Sequence, residues 1–173
     1  MKQLYASLIA VFFLLPLSAA AGGVPWGEPN NTPGRFIVLS SYNNQAVFDS
    51  ETGLVWEKSP STSTFPWSST TTTTAAQHCN LLNVGNREGW RLPTVQELAS
   101  LVDRTVPSPG PTLPAGHPFS NVQSAGYWSA TTYATFASNA WGVGFDNGFV
   151  GNGNKSANNF AWCVRGGQGV DPQ

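Results

Sequence analysis

The nine residues Trp90-Arg91-Leu92-Pro93-Thr94-Val95-Gln96-Glu97-Leu98 constrain this chain more than any other stretch. Pro93 is excluded from a helix interior and biases Leu92 toward extended backbone. Thr94 is placed to cap a helix with its hydroxyl. Glu97, three positions on, is placed to return a hydrogen bond to the cap's own N–H, which makes a capping box. A strand-like Trp-Arg-Leu therefore runs directly into a capped helix. Val95, Leu98, Leu101 and Val102 follow at helical spacing, so a helix from about Val95 to Val102 with that buried stripe is expected.

The chain opens with Lys2, an apolar run from Leu4 to Leu17 and the small residues Ser18-Ala19-Ala20-Ala21, the pattern of a secretory signal peptide over 1–21. The run falls short of the ~20 residues that span a bilayer. No Cys follows it to suggest a lipid anchor, and export to a periplasm, cell surface or medium is expected. Residues 22–34, rich in Gly, Pro and Asn, read as a flexible arm, 35–167 as one domain and 168–173 as a tail. The whole chain carries a net charge of −1 and only 10% charged residues, and loss of Lys2 would make it −2. This excludes an electrostatic nucleic-acid binder, which needs a basic patch to displace counterions.

Two cysteines are present, Cys79 and Cys163. In an exported chain a pair is expected to be oxidised, with two free thiols as the alternative. Phe36 to Leu39 reads as a strand, and Val47–Asp49 with Leu54–Glu57 as a β-hairpin turning at Gly53. Ala75, Ala76, Cys79 and Leu82 share a helical face, which predicts a helix ending near Leu82. Five prolines make 106–119 an irregular connection. Tyr127–Tyr133, Ala140–Phe145 and Phe160–Arg165 read as aromatic-rich antiparallel strands. The sum is an α+β domain, two helices packed on a twisted antiparallel sheet.

Several blocks occur in a fixed order: Asp49…Thr52-Gly53-Leu54-Val55-Trp56, Ala75-Ala76…Cys79, Gly89-Trp90-Arg91-Leu92-Pro93-Thr94…Glu97-Leu98, Tyr127-Trp128-Ser129-Ala130-Thr131 and Cys163-Val164-Arg165-Gly166. Together they resemble a bacterial domain of unknown function also found at the C-terminus of a collagen-like adhesin. They are more distantly similar to the formylglycine-generating, sulfatase-modifying enzymes. The resemblance covers roughly 45–167 and implies a C-type-lectin-like fold with one disulfide, Cys79 to Cys163, from helix to last strand. It also places Arg91 where helix and sheet meet, bonded to backbone carbonyls or a carboxylate. Trp90, Leu92, Pro93, Thr94, Glu97, Trp128 and Ser129 belong to the same structural motif. Fold alone does not give function.

Catalysis has little to build on. The formylglycine-generating enzymes need a reactive cysteine pair beyond the two cysteines this chain holds. His78 and His117 are the only imidazoles, neither beside a nucleophile, and Ser129 has no base. No zinc-type ligand spacing occurs, and no cofactor is expected. Calcium is the one alternative, raised by Glu28-Pro29-Asn30, which is similar to a lectin sugar-binding triplet, and by Asp146. The surface from Asn139 to Asn159 alternates amides with aromatics. Amides both donate and accept, which suits a polyol, and aromatic faces suit a sugar ring or a protein partner. Asp146, Asn147, Asn152, Asn154, Lys155, Asn158 and Asn159 are the candidate ligand residues. They form a loop face of a non-catalytic module binding a glycan or a surface protein, with adhesion as the expected setting; the alternatives are an enzyme on a formylglycine-generating-enzyme-like scaffold with altered chemistry and a structural envelope protein.

Overall fold

The computed structural model describes residues 34–167. The expected signal peptide, the expected arm up to residue 33, the Glu28-Pro29-Asn30 triplet and the tail from 168 lie outside the described residues. The strands are β1 (Phe36–Val38), β2 (Ala46–Asp49), β3 (Leu54–Glu57), β4 (Thr64–Pro66), β5 (Gly126–Thr132), β6 (Asn139–Gly144), β7 (Val150–Asn154), β8 (Asn158–Phe160) and β9 (Val164–Arg165). Two short helices, α1 (Ala75–Asn80) and α2 (Val95–Ala99), lie between β4 and β5. The strands form two sheets rather than the single one expected, in the orders β1-β2-β3-β9 and β4-β8-β5-β6-β7. All pairings are antiparallel except β5 with β8, which meet in parallel at Tyr127 and Phe160.

The expected hairpin is β2–β3. Gly53 takes a φ of +70° there and donates its N–H to Asp49 O at 2.8 Å. Its β2 end is held by a residue that local pattern does not flag. Arg35, only 2% exposed, forks onto Asp49 with Nε and Nη2 at 2.8 and 2.7 Å, and Nη2 also donates to Ser100 O at 3.0 Å. The entry of the chain is thereby tied to the end of α2. Such a fork is charge-assisted and geometrically specific.

Both helices carry complete capping boxes, Thr74 with Gln77 and Thr94 with Glu97. The α2 stripe is as expected, with Val95, Leu98, Leu101 and Val102 all buried. The helix itself stops at Ala99, and Ser100 and Leu101 continue as turn. In α1, Ala75 and Cys79 face inward. Ala76 is exposed, and the helix ends at Asn80 before Leu82.

Two cores result. One gathers Trp56, Leu98, Tyr127, Val143, Phe145 and Trp162 beneath α2. The other gathers Cys79, Trp90, Leu92, Trp128, Ala161 and Cys163 beneath α1. The Cys79–Cys163 disulfide lies in the second, with a sequence separation of 84. Closing a loop of that length stabilises by about 4.5 kcal/mol in the chain-entropy account. The expected single strand Phe160–Arg165 is in fact two. Ala161–Cys163 carries the chain from the five-stranded sheet to the four-stranded one, so β8 and β9 lie in different sheets.

Arg91 sits where helix and sheets meet. Its Nη1 and Nη2 donate to Glu97 Oε2 and Oε1 at 2.8 and 2.7 Å, and Nη2 donates to Gly166 O at 2.7 Å. Its main chain exchanges 2.9 Å hydrogen bonds with Val164 in both directions. Burial pushes the Glu97 carboxyl up, but the Arg91 fork and the Thr94 N–H outweigh it and hold it below the usual range. Replacing Arg91 by Ala is expected to cost about 2–3 kcal/mol, the worth of charged hydrogen bonds lost from a half-buried site. Lys, which cannot fork, should restore less than half of that. Urea unfolding midpoints at constant m-value measure both.

Glu57 is buried against Cys163, whose N–H donates to its Oε1 at 2.7 Å. Burial raises its pKa to about 8 despite that bond. The folded chain therefore keeps a proton that the unfolded chain releases above the ordinary carboxyl value of 4.5. This contribution to stability is complete below pH 4.5 and is lost as pH rises toward 8, with a slope approaching about 1.4 kcal/mol per pH unit. Glu57→Gln keeps the acceptor and cannot titrate, so its unfolding free energy should lack that slope in a pH series.

Candidate functional site

The seven candidate residues do not form one loop face. Val150–Asn154 is an edge strand whose turn-like Val-Gly-Asn-Gly-Asn composition conceals it, and Asn158–Asn159 open β8. Side chains alternate across a strand, and the register divides the candidates between two faces. Trp141 pairs with Asn152 and Asn139 with Asn154, which puts Asn152 and Asn154 on the face that carries Val143 and packs beneath α2. Asn158, opposite Pro66, alternates with Asn159, opposite Phe65, and points away from it.

Most of these side chains are engaged within the protein. Asn152 Oδ1 accepts from Asn139 Nδ2 at 2.9 Å. Asn154 Oδ1 accepts from the Ser156 N–H and hydroxyl at 2.9 and 2.8 Å. Asn147 Oδ1 accepts from Phe149 N at 2.9 Å. Lys155 Nζ donates to Thr132 Oγ1 at 3.0 Å and lies 4.1 Å from the Trp67 ring centroid. Asp146, Asn158 and Asn159 make no side-chain hydrogen bond among the described residues.

Asp146 and Asn159 each lie over one of two paired glycines. Gly126 and Gly144 are cross-strand partners, and Gly142 pairs with Gly151. Neighbouring partners of this kind present one face of the sheet, with Cβ positions about 5 Å apart. A Cβ on Gly126 would stand 3.0 Å from Asn159 Oδ1, and one on Gly144 2.6 Å from Asp146 Oδ1 and 3.1 Å from Asn147 Oδ1. One on Gly151 would meet the Phe149 ring at 2.8 Å. The missing side chains let Asn159, Asp146, Asn147 and Phe149 lie flat on the sheet. Phe149 remains 68% exposed, which makes it the apolar rim of the patch. Farther along the same face, Trp128 covers Gly153. The aromatic role of Phe149 was legible in the sequence. The glycine floor was not, because the strand expected over Ala140–Phe145 shows Gly142 and Gly144 but not which side chains from other strands lie over them.

Ser129 and both imidazoles pack within the domain. Ser129 is fully buried, donates its hydroxyl to Trp141 O at 2.8 Å and accepts from Thr131 N. His78 stacks on Phe65 with centroids 4.5 Å apart and His117 on Phe119 at 5.9 Å. Burial lowers the pKa of both imidazoles. Trp67 and Trp128 donate their indole N–H groups to Ser129 O and Phe65 O.

The motif blocks meet in space. The bulge in β5 between Trp128 and Thr132 turns Thr131 Oγ1 to accept from Val95 N at 3.0 Å, and Ala130 N donates to Pro93 O at 2.7 Å. The Tyr-Trp-Ser-Ala-Thr block thus seats the start of the helix that the Trp-Arg-Leu-Pro-Thr block caps. No curated protein matches the chain. A family model described as the Lcl C-terminal domain matches residues 45–165 and takes in all of these blocks. The expected relation to the C-terminal domain of a collagen-like adhesin therefore stands, and this chain belongs to the Lcl C-terminal domain family.

Proposed function

We propose that this protein is an exported, non-catalytic binding module of C-type-lectin-like fold that presents the glycine-floored patch to a hydroxyl-rich ligand, a glycan, in an adhesive role. The observation that carries the reading is the pair Asp146 and Asn159. A carboxylate and an amide that make no side-chain hydrogen bond among the described residues lie over paired glycines beside an exposed aromatic ring. A carboxylate accepts from sugar hydroxyls and an amide both donates and accepts, while Phe149 offers a face to the apolar side of a ring. Family membership supports the adhesive setting, and the N-terminal apolar pattern supports export. The burial of Ser129 and the packing of both imidazoles against rings support a role without catalysis.

The test is a glycan panel screened with the oxidised protein, with calcium and with chelator, alongside the double variant Asp146→Ala/Asn159→Ala. Specific binding that falls at least about tenfold in the variant, with a melting temperature nearly unchanged, is the expected result, since surface substitutions of this kind shift stability by about 0.5 kcal/mol or less. Loss of binding in chelator would assign the Asp146 carboxylate to an ion rather than to sugar. Binding that the variant leaves intact would remove the ligand from this patch, and no binding in either condition would direct attention to a protein partner.

A further inference from the structure

The two sheets treat their edges differently. Exposed edges are ordinarily blunted by shortness, by Pro, by charge or by cover. Here β1 and β4 are three residues long, β4 contains Pro66, and β9 is bridged by Arg91. Among the described residues, the outer edge of β7 has none of these protections. Its five residues, Val150-Gly151-Asn152-Gly153-Asn154, carry neither charge nor Pro.

The directions of its backbone groups follow from the ladder with β6. Gly144 N donates to Phe149 O and Lys155 N to Ser138 O, each at 2.8 Å. These bonds lie at the two ends of one continuous register. Hydrogen-bonded and non-bonded pairs alternate along an antiparallel ladder. Phe149, Gly151, Gly153 and Lys155 therefore bond inward to β6, while Val150, Asn152 and Asn154 turn their N–H and C=O outward. Of these outward groups, only Asn154 O has a partner among the described residues, accepting from Ala157 N at 2.9 Å.

We infer that this edge pairs with the same edge of a second copy, antiparallel about a two-fold axis at Asn152. The outward set is symmetric about that residue. Val150 then faces Asn154 of the second copy, Asn152 faces Asn152, and the three pairs exchange two hydrogen bonds each. Gly151 faces Gly153, which leaves room for close approach on the glycine face. The one charge at the seam, Lys155, comes opposite the exposed Phe149, a cation against a ring rather than against another cation. A closed two-fold contact consumes both edges and stops there, whereas an open edge invites unlimited addition. The axis stands perpendicular to the sheet, so both glycine-floored faces end on one side of a continuous ten-stranded sheet. The pairing goes beyond the binding reading and does not rest on it.

Sedimentation velocity of the exported, disulfide-intact protein over a rising concentration series, with no ligand present, is the test. The wild type should pass from monomer to dimer. Asn152→Pro removes an outward N–H without touching the β6 ladder and should remain monomeric with its thermal transition intact. Asn152→Lys and Asn152→Asp place like charges opposite each other on the axis and should each fail to dimerise. Mixed, they should form a heterodimer whose Kd is at least about tenfold tighter than that of either variant alone. A wild type that stays monomeric throughout, an assembly unaffected by these substitutions, or a Lys/Asp mixture that fails to pair would overturn the inference. The charge pair decides the matter even if the Pro variant misfolds.

Discussion

The Arg91 fork is the contact on which the arrangement depends. One guanidinium meets Glu97, the capping residue of α2, and the carbonyl of Gly166 just beyond β9, while its main chain bridges Val164. Helix, cap and final strand therefore share a single charged centre. The spacing of Trp-Arg-Leu-Pro-Thr-x-x-Glu follows from this. Pro93 turns the chain out of extended geometry, Thr94 starts the helix, and one turn later Glu97 returns to the arginine three residues before the proline's successor. With Trp90 on one side and Leu92 on the other buried in the second core, the arginine has little freedom to be elsewhere.

What could be read from sequence was local. Capping at Thr94, the positive φ at Gly53, the α2 stripe and the β2–β3 hairpin each follow from residues within a few positions of one another. The α1 cap at Thr74 was also there to be found, since Gln77 stands three residues on, but the surrounding hydroxyl run obscured it. Long-range pairing was not legible. Nothing near Arg35 or Asp49 announces that they meet, and the short crossing at Ala161–Cys163 looks like uninterrupted strand because its residues are all apolar. In β7, composition misled. Gly and Asn usually mark turns, yet here pairing with β6 overrides that preference, and the glycines serve the close packing of side chains laid over them.

The candidate surface shows the same division. Choosing amides and a carboxylate between Asp146 and Asn159 does not say which of them share a face, because period-two alternation sorts them to opposite faces once β7 and β8 are strands. Internal hydrogen bonding separates them further. Asn147, Asn152, Asn154 and Lys155 shape turns and cross-strand contacts, while Asp146 and Asn159 lie over glycines that pair across strands.

The disulfide has a mechanical consequence. Tension applied through the two ends of the domain would travel from residue 34 to Cys79, cross the bond and leave through Cys163 and β9. Everything from 80 to 162 forms a covalently closed loop off that load path. The strands that could yield are β1 to β4 and β9. The glycine-floored face, the outer edge of β7 and α2 with its cap lie within the bypassed loop, so a pull strong enough to unravel the first sheet and strip β4 from the second could not directly extend β5 to β8.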